Sequence, residues 1–254
     1  MPIVIFVDSS FRLPGGSHSN FQIQLNETVN VEDGRLRLDK ISFVNSVYTV
    51  TGGINQYMYF NDPNQGGQIF FAIPEQAYTG KTLADAITQY TRYLASYNPS
   101  RNELSVDVQD ELVSTMTDEN LKAGPPAPNP QHWPEGASPA HPMSINNIIG
   151  NGMRKANKII AFNFVNMSLY HNLYLRAKRL TCHNMHGPLG EADIICKIPV
   201  TAVLGNHTEG GTPDGVYYDV GTHSYRMLDF RLTDHANNVV DLRNNAISFQ
   251  ITID

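Results

Sequence analysis

Few residues in this chain have types and spacings that could do chemistry. Cys182-His183-Asn184-Met185-His186, with Cys196 downstream, is the one cluster of metal-ligating types. A structural zinc needs four such groups converging tetrahedrally. The Cys-His-x-x-His spacing fits no common zinc pattern, and adjacent strand residues point to opposite faces. The segment reads as a loop between strands with a buried thiol on either side, and no metal or cofactor is expected. Gly16-Ser17-His18-Ser19 sets serine beside histidine, but lacks the Gly-x-Ser-x-Gly elbow of a hydrolase and its strand-to-helix setting. Asp107, Asp110 and Glu111, and Asp229 with Asp234, are carboxylates at positions that read as exposed strand faces and turns. Gly52-Gly53 and Gly66-Gly67 lack the Lys-Ser/Thr that completes a phosphate loop. No His-x-His of the cupin type occurs. These residues make no case for an enzyme.

Composition narrows the partners. Net charge is −6, with no basic run. Wrapping on nucleic acid needs clustered Lys and Arg to neutralise phosphates, so direct nucleic-acid binding is not expected. The closest approach is Arg176-Ala177-Lys178-Arg179, where a period of two puts Arg176 and Lys178 on one face. It reads as a solvated strand face, with a contact to an acidic partner as the alternative. No apolar run approaches the roughly 18–20 residues of a membrane span. Two cysteines make no disulfide framework, and Met1-Pro2-Ile3-Val4-Ile5-Phe6-Val7-Asp8 lacks a basic leader and cleavage site. The expected product is made in cytoplasm or nucleus with reduced thiols.

The elements that must position these residues are mostly strands. Leu228/Phe230/Leu232 and Ile247/Phe249/Ile251/Ile253 alternate strictly with polar residues, the mark of strands with one buried face. Thr233-Asp234-His235-Ala236-Asn237-Asn238 supplies a turn, because Asp and Asn satisfy backbone groups locally. Upstream, Ile3–Val7, Asn20–Leu25 and Leu36–Val44 read as strands. The last changes face near Asp39-Lys40, which predicts a bulge there. One helix is expected, with Leu83, Ala86, Ile87, Tyr90 and Leu94 on its apolar side and Thr82 as its cap. Residues 124–143 hold seven of the fifteen prolines and the only tryptophan, Trp133. That density fits neither strand nor helix, so the segment reads as a surface loop or an inter-subunit arm anchored by Trp133. Charged residues are 17%, against about 25% in an ordinary soluble domain. With about a dozen short strands, no βαβ rhythm and no repeat, the expected class is all-β. The architecture is an antiparallel β-sandwich, a single jelly roll over residues 1–254.

Four segments in this order resemble a known family. They are Val7-Asp8-Ser9-Ser10-Phe11-Arg12 leading to Ser19–Leu25; Ile73-Pro74-Glu75-Gln76-Ala77-Tyr78-Thr79; Ile194-Ile195-Cys196-Lys197-Ile198-Pro199-Val200; and Leu228–Asp234 with Val240-Asp241-Leu242 and Ile247-Ser248-Phe249. The chain is similar in these to penton-like minor capsid proteins of polinton-type, adintovirus-like and virophage-like double-stranded DNA viruses. The resemblance implies a jelly roll at the five-fold vertex of a virion. There it would be a homopentamer beside a double jelly-roll major capsid protein. The Pro-rich segment has no counterpart in it, nor does the chain carry the basic arm with which some capsid proteins touch the genome.

Two functions are therefore carried forward. The first is a structural capsid subunit that self-assembles through lateral contacts, with Trp133, Arg176, Lys178, Arg179, Tyr217 and Tyr218 as candidate interface residues. The alternative is a carbohydrate-binding attachment module, in which Tyr217, Tyr218 and Tyr225 would stack on a host glycan or receptor sugar.

Overall fold

The computed structural model describes residues 2–124, 132–150, 153–162, 164–180, 193–213 and 216–254. In chain order its strands begin with β1 (Ile3–Asp8), β2 (Asn20–Val44), β3 (Tyr57–Asp62), β4 (Gly67–Ala72), β5 (Leu94–Asn98), β6 (Glu103–Asp107) and β7 (Ser114–Thr115). They continue with β8 (Met153–Ala156), β9 (Ile159–Phe162), β10 (Asn172–Arg176), β11 (Ile194–Pro199), β12 (His207–Gly210), β13 (Tyr218–Thr233) and β14 (Ile247–Ile253). Every ladder between them is antiparallel. The all-β antiparallel expectation is met. Where the sequence reading treats 1–254 as one domain, the structure shows two compact units, Met1–Val47 with Tyr170–Asp254, and Tyr48–Leu169.

The first unit is built on β2. Asn20–Leu25 and Leu36–Val44, read from the sequence as two strands, are the ends of this one 25-residue strand. In its C-terminal half, Leu36 to Phe43 pair with Ile253 to Ile247 of β14, and β1 pairs in turn with β14. In its N-terminal half, Asn20 to Val31 pair with Arg231 to His223 of β13, which passes the ladder on to β10 and β11. The strand cannot run straight. Phe230, opposite Phe21, has its ring 4.8 Å from that of Phe249, which pairs with Ile41. Phe21 and Ile41 would lie about 66 Å apart on an extended strand. The ladder therefore folds back on itself, and its two halves meet face to face as in a sandwich.

Local chemistry explains where it folds. Register shifts in β13 flank Gly221, whose φ is +65°, and Gly34 sits opposite it. Asp33 has φ +47° and its backbone N–H donates to the Thr222 hydroxyl at 3.1 Å. A Cβ on Gly34 would lie 2.0 Å from Val31 Cγ1, with Ile253 and Val220 at 3.3 and 3.4 Å behind it. The fold-back thus needs glycine for room on one strand and for a left-handed turn on the other. Leu36, Leu38, Ile41, Phe43, Phe230, Phe249 and Ile251 close the core between the halves.

The predicted bulge is present. Gln250 pairs with Lys40 and Ile251 with Leu38, leaving Asp39 as the extra residue. Its carboxylate accepts from Arg37 Nε at 2.5 Å, Gln250 Nε2 at 2.6 Å and Thr252 Oγ1 at 2.5 Å. The expected turn at 233–238 also forms, with Asp234 Oδ1 accepting from the backbone of Ala236 and Asn238, both at 2.9 Å.

The second unit carries the β4-β3-β7 and β5-β6-β9-β8 sheets and three helices, α1 (Gly80–Tyr90), α2 (Asp118–Ala123) and α3 (Asn146–Ile149). The helix cap is corrected: Thr79, not Thr82, is the N-cap of α1, and Thr82 is the third residue of a reciprocal capping box. Leu83, Ala86 and Ile87 bury its apolar side with Val106 and Phe162. The two further helices have six and four residues, too few turns for a periodic signal.

Two measurements check this account. Gly34→Val is expected to destabilise by about 1–3 kcal/mol through overpacking. It should appear as a lower denaturation midpoint at unchanged slope; an unmoved midpoint would mean that the bend accommodates a branched side chain. Burial alone would raise the Asp39 pKa, but the bonds from Thr252, Arg37 and Gln250 outweigh it and hold the carboxyl below its ordinary value. The folded state then binds this proton less readily than the unfolded chain. Its stabilisation is full above about pH 4, where the unfolded carboxyl is ionised, and is lost as pH falls through the lower folded pKa. Below about pH 4 the wild type should lose stability faster than Asp39→Asn, and parallel pH curves would refute this.

Candidate assembly surface

The basic segment does not lie on a solvated face. Strand β10 ends at Arg176, whose side chain is fully buried, while Lys178 and Arg179 stand exposed in the turn that follows. This corrects the expectation that Arg176 and Lys178 share a wet face. A buried guanidinium must be paired and hydrogen-bonded. Arg176 donates from Nε to Thr233 Oγ1 at 2.8 Å and from Nη1 to Asp193 Oδ1 at 2.8 Å. The other oxygen of Asp193 accepts from Arg231 Nη2 at 3.0 Å, and its carbonyl accepts from the Ala177 N–H at 2.8 Å. One carboxylate, on the residue just before β11, therefore joins β10 and β13. Arg179 Nε lies 3.7 Å from Asp229, so part of its charge is also spent within the unit.

The other candidates are placed as follows. Trp133 is half-buried, its ring edge-on to Tyr59 with centroids 5.7 Å apart, in a cluster with Phe70, Met116, Leu121 and Met143. Tyr59 donates to the Pro142 carbonyl at 2.7 Å and Gln68 to the His132 carbonyl at 2.8 Å. The described part of the Pro-rich segment is thus tied to β3 and β4 of its own unit. Tyr217 is half-buried with the Arg37 guanidinium 5.6 Å from its ring centre, and Tyr218, in β13, packs against the core. Tyr225 is buried.

Cys182, His183 and His186 lie outside the described residues. Cys196 is buried in β11 and its thiol is pushed up to about 12 by burial, which makes it an inert core side chain. Among the described residues no group of three or more His, Cys, Asp or Glu could hold a metal. His18 does meet a serine, though neither of its neighbours: Ser9 Oγ is 2.7 Å from its Nδ1. Ser9 is fully buried and also accepts from the Ile247 N–H at 2.9 Å. Its hydroxyl ties the segment after β1 to β14 and is out of reach of a substrate.

The features that sequence reasoning missed are apolar and exposed. Strand β1 forms one end of its sheet. Ile5 and Val7 face the core, while Phe6 is 78% exposed on the opposite face and Phe11, just beyond the strand, is 82% exposed. A groove of about 580 Å³ runs beside them, lined by Phe6, Phe11, Ile23, Leu25 and Phe249, with Lys40 and Gln250 among its polar walls. The unbroken apolar run Ile3-Val4-Ile5-Phe6-Val7 was the available signal, since such runs mark strands covered on both faces.

The class that the fold defines is an all-β protein of antiparallel sheets in two compact units. No family model matches the sequence. No curated protein matches it either. Among solved structures, the chain is similar in fold to the mavirus penton protein at 7% identity and a TM-score of 0.50, over 100% of this chain and 99% of that one. It also aligns with a chain of the cryo-EM structure of the Sputnik virophage, at 11% identity and a TM-score of 0.45, covering 100% and 98%. The resemblance carried by the four sequence segments is thus matched in fold along the whole chain.

The Asp193 junction is testable. Asp193→Ala leaves two guanidinium groups without their shared carboxylate, one of them fully buried. Breaking a buried pair from one side costs about 3–5 kcal/mol. A loss of that size in chemical denaturation is expected, and a loss below about 1 kcal/mol would show that the junction is screened by solvent.

Proposed function

We propose that this protein is a structural virion component, a penton-like minor capsid subunit that closes a ring with copies of itself. The observation that carries the reading is the full-length likeness in fold to the mavirus penton protein. The surface supports it. Phe6 and Phe11 are large aromatic side chains held in solvent beside an apolar groove. Aromatic residues are enriched in the cores of protein interfaces, and apolar patches on soluble proteins usually mark contacts. The role is to bind neighbours, without catalysis. Its partners would be other copies in a homopentamer and, around the ring, a major capsid protein of double jelly-roll type. Its place is then the capsid, after synthesis in the host cytoplasm or nucleus.

A ring of this kind joins two different patches on each subunit, and a stable contact buries about 800 Å² per partner. Native mass by light scattering behind a sizing column tests it. The expected result is a species near five times 28.3 kDa that persists on dilution to micromolar concentration. A monomer at every concentration overturns the reading; glycan-dependent retention of that monomer would replace it with the attachment module.

A further inference from the structure

The loop between β1 and β2 is closed by two basic side chains that share one corner. Arg12 donates from Nε to the Gly16 carbonyl at 2.9 Å and from Nη1 to the Ser9 carbonyl at 3.0 Å. The same Nη1 lies 3.1 Å from His18 Nε2 and 3.4 Å from its Nδ1, whose other neighbour is Ser9 Oγ at 2.7 Å. Residues 9, 12 and 18 of the loop therefore meet around one imidazole. Through the Ser9 hydroxyl the corner is tied to the Ile247 N–H that opens β14. Beside it the Ser19 carbonyl accepts from the Leu232 N–H of β13 at 2.8 Å.

Hydrogen-bond chemistry fixes the charge of this ring. A guanidinium stays protonated and only donates, so the ring nitrogen that meets Arg12 must offer a lone pair. An imidazolium has none to offer, because both of its nitrogens carry protons. The corner is thus built for neutral His18: the shorter contact makes Nε2 the acceptor and leaves Nδ1–H to donate to Ser9. The surrounding groups act in opposite senses. Burial and the Arg12 cation disfavour the charged ring, while the Asp8 carboxylate at the end of β1 favours it; the first two prevail and hold the His18 pKa below its ordinary value. The contacts from β13 and β14 are uncharged backbone groups of Leu232 and Ile247. A cleft of about 530 Å³ beside His18 is lined by the 239–244 segment, where Asp241 is the acidic residue and its Oδ1 accepts from the Arg243 N–H at 2.7 Å.

We propose that His18 is a proton-operated latch: a proton on its ring expels Arg12 and releases the loop of residues 9–19, which carries the exposed Phe11, in mildly acidic surroundings. The latch belongs to the single subunit and does not depend on the ring proposed above. The sign follows from linkage. The unfolded chain takes up this proton near pH 6.5, the folded chain only at lower pH. The latch's contribution is full above about pH 6.5 and is lost as pH falls through the lower folded value. The test is hydrogen exchange read by mass spectrometry at about pH 7.5 and about pH 5, corrected for intrinsic rates. Amides of residues 9–19 should exchange about threefold or more faster at the lower pH in the wild type. His18→Gln, neutral at both, should show no such acceleration. In an NMR titration the His18 ring signal, assigned by its loss in His18→Gln, should have a midpoint below 6.5 and move up in Arg12→Gln, which removes the cation. Loop exchange that ignores pH in the wild type, or an acceleration that survives in His18→Gln, overturns the latch. So does a wild-type midpoint at or above 6.5, or one that Arg12→Gln leaves in place.

Discussion

The first unit depends on one constraint: β2 is a single strand that both faces of the sandwich must share. Its C-terminal half holds β14 and β12 on its two edges, and its N-terminal half holds β13, so the β1–β14 pair, β12 and the β13–β10–β11 run are laddered to one another through it. The bend at Asp33-Gly34 converts that connectivity into a closed core by laying Phe230 on Phe249. The two halves are one continuous strand, and each is held in its own register by its ladder to β13 or β14. The Asp39 bulge adds a second lock, since it turns a carboxylate toward Thr252 and Gln250 across the β2–β14 ladder. A one-residue slip would put every inward side chain on the wrong face.

The buried Arg176–Asp193–Arg231 junction does for the other end of the sheet what the bend does for the middle. A buried ionic group contributes little net stability compared with a well-packed apolar one, but it is intolerant of misplacement. Asp193 can satisfy both guanidinium groups only when β10, β13 and the start of β11 hold their observed relative positions. The junction is thus a registration device. The Arg176 guanidinium is turned inward and paired there, and Lys178 and Arg179 carry exposed basic character in this region.

Much of this was legible in the sequence, for reasons that differ by element. Strands β13 and β14 are covered on one face only, so their side chains alternate and the period of two shows through. The Asp39 bulge was legible because the inward positions change parity between Leu38 and Ile41. The continuity of β2 was not, since Glu32-Asp33-Gly34 has the composition of a turn between strands and here forms a bend within one. Arg176 was misread because burial of a charge depends on partners distant in sequence, Asp193 and Arg231, that no local pattern announces. Trp133 stood out by composition, yet nothing in its neighbours names Tyr59 as the ring it meets. The exposed face of β1 was visible only as an unbroken apolar run, which says that a strand is covered twice without saying by what.

The connectivity of the two units has a consequence for the order in which the chain is made. The second unit is one continuous stretch, Tyr48–Leu169, lying between the two segments of the first. Domains generally fold as units as they emerge from the ribosome. All the partners of the second unit are in hand before β10 appears, whereas β1 and β2 must wait, apolar faces unpaired, for β13 and β14. Strand β1 hangs on β14 alone, with Ile3 opposite Ile253. The surface that carries Phe6 therefore does not take its shape until β14 has been translated and paired with β1.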